Sequence, residues 1–82
     1  MRIDKFLKVS RIVKRRTLAQ EACEHGKVAV NGREAKPSHQ LKVGDVVEIT
    51  YTSGGLKFIV KELKETVKKD EAQSLYEIIN EN

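Results

Sequence analysis

The stretch KVAVNGREAK (27–36) places Asn31-Gly32 between two short runs of alternating apolar residues. A two-residue hairpin loop needs positive φ at both central positions, and Asn followed by Gly tolerates that best. The spacing predicts a hairpin, with two strands that must lie side by side. Everything before it follows another period. In TLAQEACEHG (17–26), Thr17 is a natural N-cap, Gln20 completes a capping box and Gly26 fits the residue just past a helix end. Leu18, Ala19, Ala22 and Cys23 would form the packed face of that helix, with Glu21 and Glu24 pointing elsewhere. Residues 2–9 read as a shorter helix, with Ile3, Phe6 and Leu7 on one arc and Arg2, Lys5 and Lys8 on the opposite one. SRIVKRR (10–16) connects the two, with Ile12 and Val13 tucked beneath.

After the hairpin come a loop, PSHQ, a turn at 43–45, a strand VVEITY, a turn TSGG and a second strand LKFIVKEL. DEAQSLYEII (70–79) closes the series as a predicted helix, because Ala72, Leu75, Tyr76 and Ile79 recur at helical spacing. The fold class expected is α+β: two short N-terminal helices, a small antiparallel sheet and a C-terminal helix. Eighty-two residues suit one domain, with residues 1–50 as its core and 51–82 as a C-terminal strand and helix.

Charge is unevenly spread. Residues 1–42 carry eleven Lys and Arg against four acids, whereas residues 43–82 carry five against eight. A basic half beside an acidic half is the footprint of a polyanion binder. Binding to a membrane surface would need an apolar face free to insert, and here that face is required for the core. No run approaches a membrane span, and no apolar segment follows the opening cations as a secretory signal would require. Cys23 is the single cysteine, so no internal disulfide forms; it reads as a small buried hydrophobe, and a cytoplasmic location is expected.

The candidate binding residues are Arg2, Lys5, Lys8, Arg11, Lys14, Arg15 and Arg16, seven cations within the first sixteen positions. Phosphate recognition calls for fixed positive charge with donors, and the arginine fork matches phosphate oxygens best. Arg15 and Arg16 also precede a helix start, where free N–H groups favour an anion. Asp4, the one acid among them, has three readings. It is a first-turn acid favoured by the helix dipole, a group orienting Arg2 or Lys8, or an acceptor for a nucleotide. Lys36 and His39 flank the loop after the hairpin and could add contacts. Two histidines and one cysteine without ligand spacing make no metal site, no glycine-rich phosphate loop implies a cofactor, and no pair of acids is marked for catalysis. A binding protein is expected, not an enzyme. Aromatics are few, so recognition should rest on backbone and shape, not base stacking.

The stretch from Arg2 to Val47, with Arg2, Asp4, Leu7, Arg16, Thr17, Ala19, Gly26, Val30, Asn31, Gly32, Lys36, Gly44 and Asp45 at its key positions, resembles the S4 RNA-binding domain. In most relatives that domain accompanies an enzyme such as a pseudouridine synthase or tyrosyl-tRNA synthetase. The stand-alone versions are similar to the ribosome-associated heat-shock protein of fifteen kilodaltons and to the RqcP proteins. The short length and the absence of a long basic tail favour the RqcP type. That resemblance implies partners: large-subunit rRNA, peptidyl-tRNA on an obstructed large subunit, and an RqcH-type factor that adds a C-terminal alanine tail. It carries RNA contacts over to Arg2, Lys5, Arg15, Arg16 and Lys36, with Asp4 as a polar contact, and implies a monomer away from the ribosome. Alternatives are a general recycling or assembly factor, the accessory module of an RNA-modifying enzyme, and a DNA-binding regulator. Against the last, Glu21 and Glu24 stand where a recognition helix wants base-reading donors.

Overall fold

The computed structural model describes residues 1–79; the last three positions of the expected 51–82 extension lie outside them. Helix α1 runs Ile3–Val9 and helix α2 Arg16–Glu24. Strands β1 (Val28–Val30), β2 (Arg33–Glu34), β3 (Val46–Tyr51), β4 (Gly54–Val60) and β5 (Tyr76–Ile78) form one antiparallel sheet in the order β2-β1-β3-β4-β5. A 3₁₀ helix, Lys69–Leu75, leads into β5.

The hairpin forms as the Asn-Gly pair requires, with φ of 52° at Asn31 and 85° at Gly32. Asn31 also fastens it to the next turn. Its Oδ1 accepts from the Val46 N–H at 2.9 Å, and its Nδ2 donates to Asp45 Oδ1 at 3.1 Å. Asp45 Oδ2 in turn accepts the Lys42 N–H at 2.9 Å. Asn31 and Asp45 therefore act as a clip between β1 and β3, which places both motifs in the service of the sheet.

Alternation along the strands puts one side chain in two on the helix-facing side. The registers line up Val30, Val47 and Phe58 in one row and Val28 with Ile49 in the next, all buried. Ile3, Phe6 and Leu7 of α1 and Ala19 and Cys23 of α2 close the core from above. Phe6 stacks on Phe58 with centroids 6.2 Å apart, and Tyr76 meets Phe58 edge-on at 5.4 Å. Ile12 and Val13 pack against this core from the connector. Cys23 is buried, and that burial pushes its thiol pKa up to about 11, with the charges of Asp4 and Glu24 adding to the effect.

Three expectations need correction. The helix expected over 70–79 forms only as a 3₁₀ helix, Lys69–Leu75, and gives way to a strand at Tyr76. Ala72 and Leu75 are buried at the i, i+3 spacing that a 3₁₀ turn also satisfies, and Tyr76, Glu77 and Ile78 extend to pair with Val60, Ile59 and Phe58. A ten-residue helix is marginal by itself, and the open edge of β4 offers backbone partners to residues of high strand propensity. Thr17 is not the N-cap. Arg15 holds that place in extended conformation with no side-chain cap, and Gln20 points to Asp4 instead of back to Thr17. Leu18 is exposed, because the helices meet through the small residues Ala19 and Cys23.

Candidate nucleic-acid interface

The start of α1 is fixed from outside the helix. The loop after β2 runs antiparallel to residues 1–3, with Arg2 bridged to Gln40 and the Leu41 N–H donating to the Met1 carbonyl at 2.8 Å. Helix N–H groups that lack an internal acceptor find one there: Ile3 donates to the His39 carbonyl at 2.8 Å and Asp4 to that of Pro37 at 3.3 Å. Lys5 N–H donates to Asp4 Oδ1 at 2.8 Å. These bonds exhaust the helix end as an anion site. They also lay the turn that carries Lys36 and His39, both exposed, beside the opening residues.

Asp4 is fully buried, yet it sits amid cations. Arg2 donates to its Oδ2 and Arg16 to its Oδ1, each at 3.2 Å, and Gln20 Nε2 donates to Oδ2 at 3.0 Å. A buried carboxylate without donors would be costly, and here four donors meet its two oxygens. Burial works to raise the Asp4 pKa. The hydrogen bonds from Gln20 and Arg16, the Arg16 charge and the Lys5 N–H outweigh it and hold the carboxyl below its ordinary range. Of the three readings of Asp4, two fit: it lies in the first turn of α1, where it accepts the Lys5 N–H, and it orients arginines, with Arg16 joining Arg2 and Lys8 taking no part. A direct contact to a nucleotide is closed to a side chain with no exposed surface and both oxygens engaged.

The two arginine side chains remain 45% and 42% exposed, so one internal carboxylate spaces two outward guanidinium groups that keep further donors. Arg16 lies at the start of α2, where Leu18 and Ala19 both donate to the Arg15 carbonyl. The N–H groups of Arg16 and Thr17 find no acceptor among the described residues. Lys5 pairs with Glu65, whose carboxyl that contact holds below its usual range. Lys8, Arg11, Lys14 and Arg15 are exposed and have no carboxylate partner among the described residues. The seven cations thus face two acids, one internal and one at the rim.

Gln20 and Glu65 were not among the candidates. The Gln20 signal was present but fitted a capping box, and Glu65 lies sixty residues from Lys5 with no motif to join them.

The S4 domain family model matches residues 1–47, from α1 to the first two residues of β3. A Bacillus subtilis protein named RQC P-site tRNA stabilizing factor is 47% identical over 99% of this chain and 94% of its own length. A Streptococcus pneumoniae protein of the same name is 52% identical over 99% of this chain and 92% of its own. The chain belongs to the S4-domain family. Among solved structures, heat shock protein 15 of Vibrio cholerae, described as trimeric, superimposes with a TM-score of 0.88 at 33% identity, covering 95% of this chain and 80% of that one. The solution structure of hypothetical protein HP1423 gives 0.84 at 32% identity over the full length of both. The second half of this S4-domain protein, from β4 to β5, lies outside the family match yet is shared with these neighbours. No helix among the described residues is long and apolar enough to cross a membrane.

Proposed function

We propose that this S4-domain protein is a non-enzymatic RNA-binding factor of ribosome-associated quality control. It binds rRNA and peptidyl-tRNA on an obstructed large subunit and holds the P-site tRNA while an RqcH-type partner extends the nascent chain with alanine. It works in the cytoplasm and is a monomer away from the ribosome. The observation that carries the reading is the pair Arg2 and Arg16, braced by one buried carboxylate and open to solvent. Phosphate oxygens need donors at a fixed spacing, and Asp4 fixes it. Around that pair, Lys5, Lys8, Arg11, Lys14 and Arg15 extend the positive surface, with Lys36 and His39 on the stitched loop. The names of the relatives that align along nearly the whole chain support the choice of tRNA and of quality control.

A charge-assisted hydrogen bond is worth ~1.5–3 kcal/mol, so Arg16→Ala should weaken binding about tenfold or more. The measurement is co-sedimentation with large subunits carrying P-site tRNA, alongside a circular dichroism melt to confirm folding. Full affinity in a folded Arg16→Ala protein would remove the arginine pair from the interface.

A further inference from the structure

Beyond the arginine pair, the surface holds a hollow of about 160 Å³ between the C-terminal end of α1 and the irregular segment before the 3₁₀ helix. Lys8, Val9 and Arg11 line one side; Glu65, Thr66 and Val67 line the other. Val9 and Val67 pack against the core, so the floor is apolar and fixed. Arg11 has φ of +64°, in the left-handed region that disfavours a side chain. It follows the Ser10 C-cap, at the place where helices commonly carry glycine. A cationic side chain is thus kept at the rim against a backbone preference. Glu65 lines the other side, paired with Lys5, which holds its carboxyl below the usual range.

An apolar floor, a guanidinium able to stack, a lysine for a flanking phosphate and a carboxylate as acceptor suit one unstacked base. The carboxylate decides which. Guanine presents two adjacent donors, N1–H and the N2 amino group, and can meet both oxygens. Uracil sets its single N–H between two carbonyls, which a carboxylate repels. We infer that this hollow is a guanine-selective site for a single unstacked nucleotide of the bound RNA, with Glu65 reading the base edge and Arg11 covering its face. The inference rests on the RNA-binding function proposed above.

The test is titration of ¹⁵N-labelled protein with guanosine 5′-monophosphate and with uridine 5′-monophosphate, which carry the same ribose and phosphate. The expected result is movement of the Val9, Arg11, Thr66 and Val67 amides, with guanosine monophosphate acting at a concentration about fivefold lower or less. Glu65→Gln, an exposed change that leaves the core untouched, should abolish that difference. Equal responses to both nucleotides, movement confined to amides near Arg15 and Arg16, or a preference that persists in Glu65→Gln would each overturn the site. Because free nucleotides are the probe, the result is independent of large-subunit binding, whose loss in Arg16→Ala judges the function itself.

Discussion

Replacing Asp4 with Asn keeps the shape of the side chain and removes one acceptor. Two donors meet each oxygen: Lys5 N–H and Arg16 on Oδ1, Arg2 and Gln20 on Oδ2. The new amide must place its NH₂ against one of these pairs, and two bonds are lost whichever way it turns. The arginine of either pair is half-exposed and can turn to water, so its loss costs at most ~1 kcal/mol. The other donor, Gln20 or the Lys5 N–H, is left facing an NH₂ in a water-poor site, which costs ~1–3 kcal/mol. Together the cost is about 1–4 kcal/mol. For a domain of this size that lowers Tm by roughly 5–30 °C. Thermal melts at neutral pH measure it. The folded pKa of Asp4 lies below its unfolded value, so its contribution is present above the unfolded pKa and is lost as pH falls through the folded one. The gap between wild type and Asp4→Asn should therefore start to narrow as pH falls below the unfolded pKa of about 3.9 and close once pH is below the folded one. Large-subunit affinity should also drop about tenfold at temperatures where the variant is folded, because Arg2 and Arg16 lose their common anchor. A melt within a few degrees of wild type, or a gap that does not vary with pH, would refute the assignment of Asp4 as the brace.

Arg11→Gly relieves a left-handed backbone, so it should raise stability by about 1 kcal/mol while weakening RNA binding, seen as opposite shifts in melting and affinity. Gly26→Ala should cost about 1–2 kcal/mol in a denaturant titration, since φ there is +70°. Its new Cβ would lie 3.2 Å from the exposed Glu34 carboxylate, which can move aside, so backbone strain dominates. If the basic surface meets about five phosphates, log affinity should fall against log salt with a slope near −3.5 to −4.5, and Lys14→Ala should flatten that slope by about one.

Where local chemistry alone decided structure, the sequence was a sufficient guide. Asn31-Gly32 admits one hairpin turn, Gly26 ends α2 in the left-handed region, and the apolar arc of Ile3, Phe6 and Leu7 is buried as its period requires. The reading failed where a distant partner competed. Ala72, Leu75, Tyr76 and Ile79 have a helical period when residues 70–79 are taken alone, but β4 pairs with Tyr76–Ile78, and that partner is invisible within residues 70–79. Gln20 has the right spacing for a capping box, but a buried carboxylate sixteen positions earlier claims it.

The same competition explains why the basic residues could be found while their organisation could not. A cluster of seven cations is visible in composition, but a cluster by itself repels and stays soft. In the interface proposed here, what would turn it into a recognition surface is a carboxylate placed out of solvent's reach, so that its charge is neither screened nor free to leave. Asp4 reaches that position because the Lys36–Gln40 loop covers the first turn of α1 and takes up its free backbone N–H groups, leaving the carboxylate to Arg2, Arg16, Gln20 and the Lys5 N–H. The hairpin, through the loop that follows it, therefore helps set the geometry of residues nearly forty positions earlier. Substitutions in the Pro37–His39 turn should accordingly disturb RNA affinity through Arg2 and Arg16, even though the turn contributes only backbone carbonyls to the brace.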